Sequence, residues 1–447
     1  MAAWRLYWSN NDGITGTLSG CGGSSDDTSS TFTSSYIQLY NGSANSASTR
    51  LTLTDSDDNS SVLGNASYTD ATSLISYSAD NYQLTLSRLN SAGDDVSVLD
   101  SSVELRQSHK HLLLLSGDYS APDLLQIDFL RDDSLSDSFK LYVANLLTQN
   151  TSYDLYLSTS EQSFADATLV ATLSYQQISE PMEFDVGNYI VYLTEAGSQQ
   201  PVFTSSSYDF SYLTEYVLVP RIASGPLSGN IAVDVINNTT TVTALTDIAA
   251  VAQFRLYNSI DNNNSSDVLL NSATVLSNLA SDTLSNYVQR DAADYRLTAT
   301  DSSGSDVIKN ALLTLNQGES KAVVLYTNSD NQASAIVVEE SLLPQIYDYD
   351  INVVNVIQDY STLSVYFVGP SQTIDTTEHY IKSLNRSGQT EINLPDGEYR
   401  VLLVYTDNNK NRTLLAETDF EQFVSGSNYL VVAEPDGSSA YKLNILR

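Results

Sequence analysis

Four times along the chain an alternating apolar and polar stretch opens a unit of similar length. The openings are Ile37-Gln38-Leu39-Tyr40-Asn41, Phe139-Lys140-Leu141-Tyr142, Phe254-Arg255-Leu256-Tyr257-Asn258 and Ile351-Asn352-Val353-Val354-Asn355. A tyrosine-led stretch follows in each, at Tyr82, Tyr189, Tyr295 and Tyr399, with spacings of 107, 106 and 104 residues. Then come denser apolar runs, such as Leu112 to Leu115 and Val323 to Leu325, and closing alternations, such as Ile231-Ala232-Val233-Asp234-Val235. Successive side chains of a strand point to opposite faces, so Tyr82-x-Leu84-x-Leu86 and Tyr399-x-Val401-x-Leu403 each put one apolar face toward a core. A period of ~100 residues marks an array of domains and not a solenoid, whose units run ~20 to 50. The pattern predicts an all-β chain of four antiparallel β-sandwich domains at 36–130, 138–236, 252–340 and 350–447, after an N-terminal segment 1–35.

The tyrosines carry a resemblance. Asp185-x-Gly187-x-Tyr189 and Asp291-x-Ala293-x-Tyr295, with the variants Pro395-x-Gly397-x-Tyr399 and Ser78-x-Asp80-x-Tyr82, are similar to the tyrosine corner of immunoglobulin-like sandwiches. There the phenol hydroxyl bonds to nearby backbone and pins a crossover between sheets. The resemblance implies seven short strands per unit, with Tyr82, Tyr189, Tyr295 and Tyr399 as structural corner residues. The phrases Leu394-Pro395-Asp396-Gly397-Glu398-Tyr399-Arg400-Val401 and Leu315-Asn316-Gln317-Gly318-Glu319 resemble the tandem β-sandwich repeats called domain of unknown function 4397. That resemblance implies an exported or surface protein, often a lipoprotein, with no assigned activity. The family's first strand continues into a histidine and a Pro-Asp turn, whereas Asn41, Asn258 and Asn355 stand here.

Composition sets the setting. The chain has 447 residues, with 54 acidic against 20 basic and a net charge of −34. Without a basic stripe to replace counterions, nucleic acid is excluded as a partner. The one cysteine, Cys21, rules out an intrachain disulfide, and it closes Leu18-Ser19-Gly20-Cys21 ahead of a Ser/Asp/Thr-rich tract. This looks like a bacterial lipobox with its tether, which implies lipidation at Cys21 and a membrane contact only through the lipid. Gly22 after the cysteine would resemble proteins sorted to an outer membrane or cell surface. Residues 1–17 lack the basic start and the ~7 to 15 apolar residues of a signal peptide. Either an upstream apolar segment precedes the printed start, or the match is chance.

Candidate chemistry is sparse. No nucleophile elbow, zinc-protease helix, phosphate loop or dinucleotide fingerprint occurs. His109 and His111 flank Lys110 and share a strand face, a pattern able to clamp a transition metal but more in keeping with a solvated strand edge. Calcium is the better-suited cofactor, because Asp55, Asp57 and Asn59, Asp261, Asn263 and Asp267, and Asp407-x-Asn409-x-Asn411 place hard oxygen ligands at alternate positions. None keeps the glycine and glutamate of a calcium loop, so solvated Asx turns are the favoured reading and no cofactor is expected, with calcium as the alternative. The linkers 131–137, 237–251 and 339–350 are short and predict an extended rod well over ~100 Å long, given strands of ~5 to 6 residues. Two function classes follow: a non-enzymatic, lipid-anchored stalk or adhesin binding a surface protein or glycan, and an extracellular carbohydrate-binding or carbohydrate-cleaving module. Both tryptophans, Trp4 and Trp8, precede Cys21, which disfavours sugar stacking.

Overall fold

The computed structural model describes residues 34–90, 93–132, 134–148, 151–223, 229–260, 265–437 and 439–447. Cys21, Trp4, Trp8, Asp261 and Asn263 lie outside the described residues. The described residues are all-β, in eight sheets that face one another around four apolar cores.

The first sandwich shows the plan. Its strands are β1 (Ser34–Asn41), β2 (Thr49–Thr54), β3 (Ser60–Ala66), β4 (Ile75–Ser78), β5 (Asn81–Leu89), β6 (Asp95–Glu104), β7 (His109–Ser116) and β8 (Asp123–Leu130). One sheet runs β4-β1-β7-β8 and the other β3-β2-β5-β6. β1 lies parallel to β7, and the other pairs are antiparallel. The same parallel pair recurs between Ser138–Val143 and Glu215–Ile222, Ala252–Ser259 and Ser320–Thr327, and Asp348–Asn355 and Tyr429–Asp436. In the first sandwich eight strands stand where seven were expected, with the apolar β7 strand flanked by β1 and β8.

Two side-chain devices close each sandwich. At the corner, Tyr82 donates to the Ser78 carbonyl at 3.2 Å, Tyr189 to Asp185 at 2.7 Å, Tyr295 to Asp291 at 2.8 Å and Tyr399 to Pro395 at 3.0 Å. At the end of the first strand a buried asparagine crosses between sheets. Asn41 Nδ2 donates to the Ala66 carbonyl at 3.1 Å and its Oδ1 accepts from Ser43 N. Asn258 reaches the Leu279 carbonyl and accepts from Ile260 N, and Asn355 reaches the Asn385 carbonyl and accepts from Ile357 N. In the second sandwich Asn145 does this work, donating to Leu173 and accepting from Leu147 N.

The rod expected from the short linkers does not form. The sandwiches stack face to face in two pairs. Tyr40, Leu112, Leu114, Ile127 and Phe129 of the first pack on Tyr142, Ala144, Val217, Val219 and Ile236 of the second. Tyr257, Val324 and Val338 of the third pack on Val354, Leu430 and Val432 of the fourth. The cause is that these sheets carry apolar side chains on both faces, so the face turned away from each core must also leave water. The linkers join this packing: Thr243–Thr246 forms an added strand beside Ile231–Ile236 and covers that sheet edge. Tyr347 inserts between Tyr119, at 5.6 Å between rings, and Arg88, at 4.6 Å from the ring centre, tying the fourth sandwich to the first. Gly318 sits at φ +75°, and a Cβ there would come within 3.0 Å of Thr246 Cγ2 across the contact between the second and third sandwiches.

Replacing Tyr189 by Phe removes one hydrogen bond and should lower the stability of the second sandwich by ~1 kcal/mol, as read by denaturant unfolding. An unchanged midpoint would show that the corner bond contributes nothing.

Candidate functional site

The paired faces bury charge as well as apolar surface. In the first pair the Tyr40 hydroxyl donates to Asp234 Oδ2 at 2.5 Å. Arg221 holds the same carboxylate through Nε at 2.7 Å and Nη2 at 2.9 Å, the fork geometry that suits a carboxylate. Tyr68 completes the group, its ring 5.3 Å from the guanidinium. Burial, then Asp234, hold the Tyr40 phenol well above its ordinary pKa. Burial opposes the Arg221 charge, yet Asp234 outweighs it and the pKa is raised.

The second pair reaches the same end differently. Tyr257, at the position of Tyr40, donates to Glu434 Oε1 at 2.7 Å, and Lys442 stands 3.2 Å from that oxygen. By register with the first strands, Lys442 occupies the place of Asp234, so acid and base have exchanged strands. Burial raises the Glu434 pKa first of all. Nearby, Arg255 is bound by Glu340 at 2.6 Å and lies 4.9 Å from the Tyr287 ring centre. The signal in the sequence was a lone charge within an apolar strand, as at Asp234 and Glu434.

His109 and His111 do not lie on a solvated edge. β7 is interior to its sheet, and His111 is buried while accepting the Arg106 N–H on Nε2 at 2.9 Å. His109 Nδ1 is 2.6 Å from Asp128 Oδ1. Burial, then His109, push His111 down to about 4.

The acidic loops at Asp55 and Asp407 are built as Asx turns. Asp55 Oδ1 accepts from the N–H groups of Asp57 and Asn59, both at 2.9 Å, and Asn59 Nδ2 also donates to that carboxylate. Asp407 does the same for Asn409 and Asn411, while Asp267 Oδ1 accepts from Asn278 N at 2.8 Å. Among the described candidates, one carboxylate oxygen each of Asp55, Asp267 and Asp407 is thus turned onto backbone N–H groups. Among the described residues no three His, Cys, Asp or Glu side chains converge to hold a metal.

Stacking in pairs leaves clefts at the junctions. One of about 820 Å³ lies among the loops of the first, third and fourth sandwiches, lined by Asn45, Asp118, Tyr287, Asn428 and Arg447. Another of about 560 Å³ separates the first from the fourth, with Arg50, Asn65, Asp348, Glu378 and His379 on its walls. No helix among the described residues is long and apolar enough to cross a membrane.

No family model matches the chain, and no curated protein matches it. Solved structures do. A "putative adhesin" from Bacteroides ovatus is 14% identical over 50% of this chain and 99% of its own, with a TM-score of 0.15. BcpA, the major pilin subunit of Bacillus cereus, is 10% identical over 66% of this chain and 98% of its own, with a TM-score of 0.15. A "putative cell adhesion protein" from Bacteroides fragilis is 9% identical over 68% of this chain and 85% of its own, with a TM-score of 0.14. At such TM-scores the likeness assigns no function to this chain.

Asp234→Asn should destabilise the first pair by ~3 to 5 kcal/mol, since removing one side of a buried ion pair strands the other. Asp95→Asn, which breaks the exposed pair with Arg50, should cost less than ~1 kcal/mol. Both are read by urea denaturation. His111 binds its proton less readily folded, at about 4, than at its ordinary 6.5. Between those values the unfolded chain holds more protons, so stability should fall as pH drops from 6.5 to 4. His111→Gln should flatten that slope in a pH series of unfolding midpoints.

Proposed function

We propose that this chain is a non-enzymatic, exported surface protein of adhesin-like type, lipid-anchored at Cys21, with sandwiches related to domain of unknown function 4397. The observation that carries the non-enzymatic reading is how the buried charged groups are spent. Asp234, Arg221, Glu434, Arg255 and Glu340 are each tied to one another or to a phenol at a contact between or beside sandwiches. A catalytic acid or base needs an accessible partner in a cleft. These groups hold the fold together instead. The net charge of −34 suits a surface that must stay dispersed in salt.

A second reading has a specific support. The junction cleft of about 820 Å³ presents Asn45, Asn286, Asn428 and Tyr287, amide and phenol groups able to hydrogen-bond a glycan. In either reading the recognised partner is a surface protein or glycan, held at the loops rather than at the paired sheet faces, which cover each other.

Intact mass and N-terminal analysis of protein from its native membrane fraction should find a chain beginning at acylated Cys21. A chain in the aqueous fraction that retains Trp4 and Trp8 would remove the anchor. Incubation with a glycan panel should give binding or no response. Release of shortened glycans would overturn the non-enzymatic reading.

A further inference from the structure

Lys110, near the start of β7, is fully buried. Its Nζ donates to Asn238 Oδ1 at 2.8 Å and to the Asn237 carbonyl at 3.3 Å, with the Phe129 ring centre 5.9 Å away. Among the described residues no carboxylate lies within ion-pairing distance of it. Burial pushes the Lys110 ammonium down to about 7, so near neutral pH much of it is the free amine, which is the nucleophilic form.

The amide opposite is held equally firmly. Asn238 Nδ2 donates to Thr214 Oγ1 at 2.7 Å, and Thr214 Oγ1 donates to Glu215 Oε2 at 3.4 Å. Glu215 is 1% exposed. Asn237 Oδ1 accepts both the Thr239 N–H, at 3.0 Å, and the Thr239 hydroxyl, at 2.8 Å. That turn fixes the loop carrying Asn238. It also engages the backbone nitrogen that would otherwise cyclise onto the Asn238 side chain.

We propose that Lys110 and Asn238 form an intramolecular isopeptide cross-link between the first and second sandwiches. The lone pair of neutral Nζ adds to Asn238 Cγ, and the carbonyl electrons move to Oδ1. A proton passes from Nζ to Nδ2 within the tetrahedral adduct, where both nitrogens are bonded to the same carbon, while Thr214 Oγ1 holds Nδ2 in place. The Cγ–Nδ2 bond breaks, the carbonyl reforms and ammonia leaves. One amide is exchanged for another, so no oxidant or co-reactant is needed. The holding of amine and carbonyl in contact is the proximity that makes such an intramolecular step fast.

The second pair lacks the nucleophile. Tyr40 is in register with Leu114 and Tyr257 with Val324, which puts Ser320 at the place of Lys110. The link therefore belongs to the first pair alone, closing a loop over a separation of 128 residues.

The test is intact mass of the full chain, folded and held at pH 8, followed by proteolysis and tandem mass spectrometry. Wild type should be about 17 Da light through loss of ammonia, run fast on a denaturing gel, and yield a branched peptide joining Lys110 to Asn238. Lys110→Arg and Asn238→Ala should each have full mass and no branched peptide. Asn238 is half-exposed, so its variant keeps the test decisive if Lys110→Arg fails to fold. Wild type at full mass would overturn the proposal. So would a deficit that persists in Lys110→Arg or Asn238→Ala, since that would come from cyclisation or loss elsewhere.

Discussion

The arrangement depends on sheets that are apolar on both faces. In β7, Leu113 and Leu115 enter the first core while Leu112 and Leu114 point the other way, and all four are fully buried. A sandwich needs only the first pair of residues. The second pair has to find another surface, and a partner sheet of the same kind supplies it. Each such side chain withdrawn from water contributes ~1.5 to 3 kcal/mol, enough in sum to bend short linkers back and forbid a rod.

Apolar faces alone would slide. What fixes their register is the buried polar group at the middle of each pair, because a phenol, a carboxylate and a cation in a dry contact must all be satisfied together. Tyr40, Asp234 and Arg221 meet this in one pair, and in the other Tyr257 and the partly exposed Lys442 both hold Oε1 of Glu434. The tyrosine keeps its place while acid and base change strands. The constraint is therefore on the chemistry of the contact, not on any one position. Lys110 adds a further polar centre only in the first pair, so the two pairs differ in how they are fastened although they stack alike.

Much of this was legible in the chain. β1, β5, β7 and β8 and their repeats showed themselves because one or both of their faces are buried, giving strict alternation or an unbroken apolar run. β3 and β6 did not, since solvent covers much of both their faces and leaves no period to read. The tyrosine corners were visible in the spacing of acid or turn residue and tyrosine. Asn41, Asn258 and Asn355 stood out as departures from a family pattern, and the structure gives them a physical role between sheets. Asn145 escaped because it stands two residues later than its counterparts. The pairing was hidden for a plainer reason: an apolar run such as Leu112 to Leu115 says that both faces are covered but not by what. Likewise Asp55-x-Asp57-Asp58-Asn59 reads equally as a cation loop or an Asx turn until the direction of each oxygen is known.

Small-angle X-ray scattering of the full chain in dilute salt tests the stacking most directly. Two face-to-face pairs in mutual contact should give a radius of gyration near 25 Å, close to the ~22 Å expected of a single globule of this length with an added N-terminal segment. Four sandwiches of ~40 Å strung end to end would give a value above about 40 Å, and that result would contradict the account.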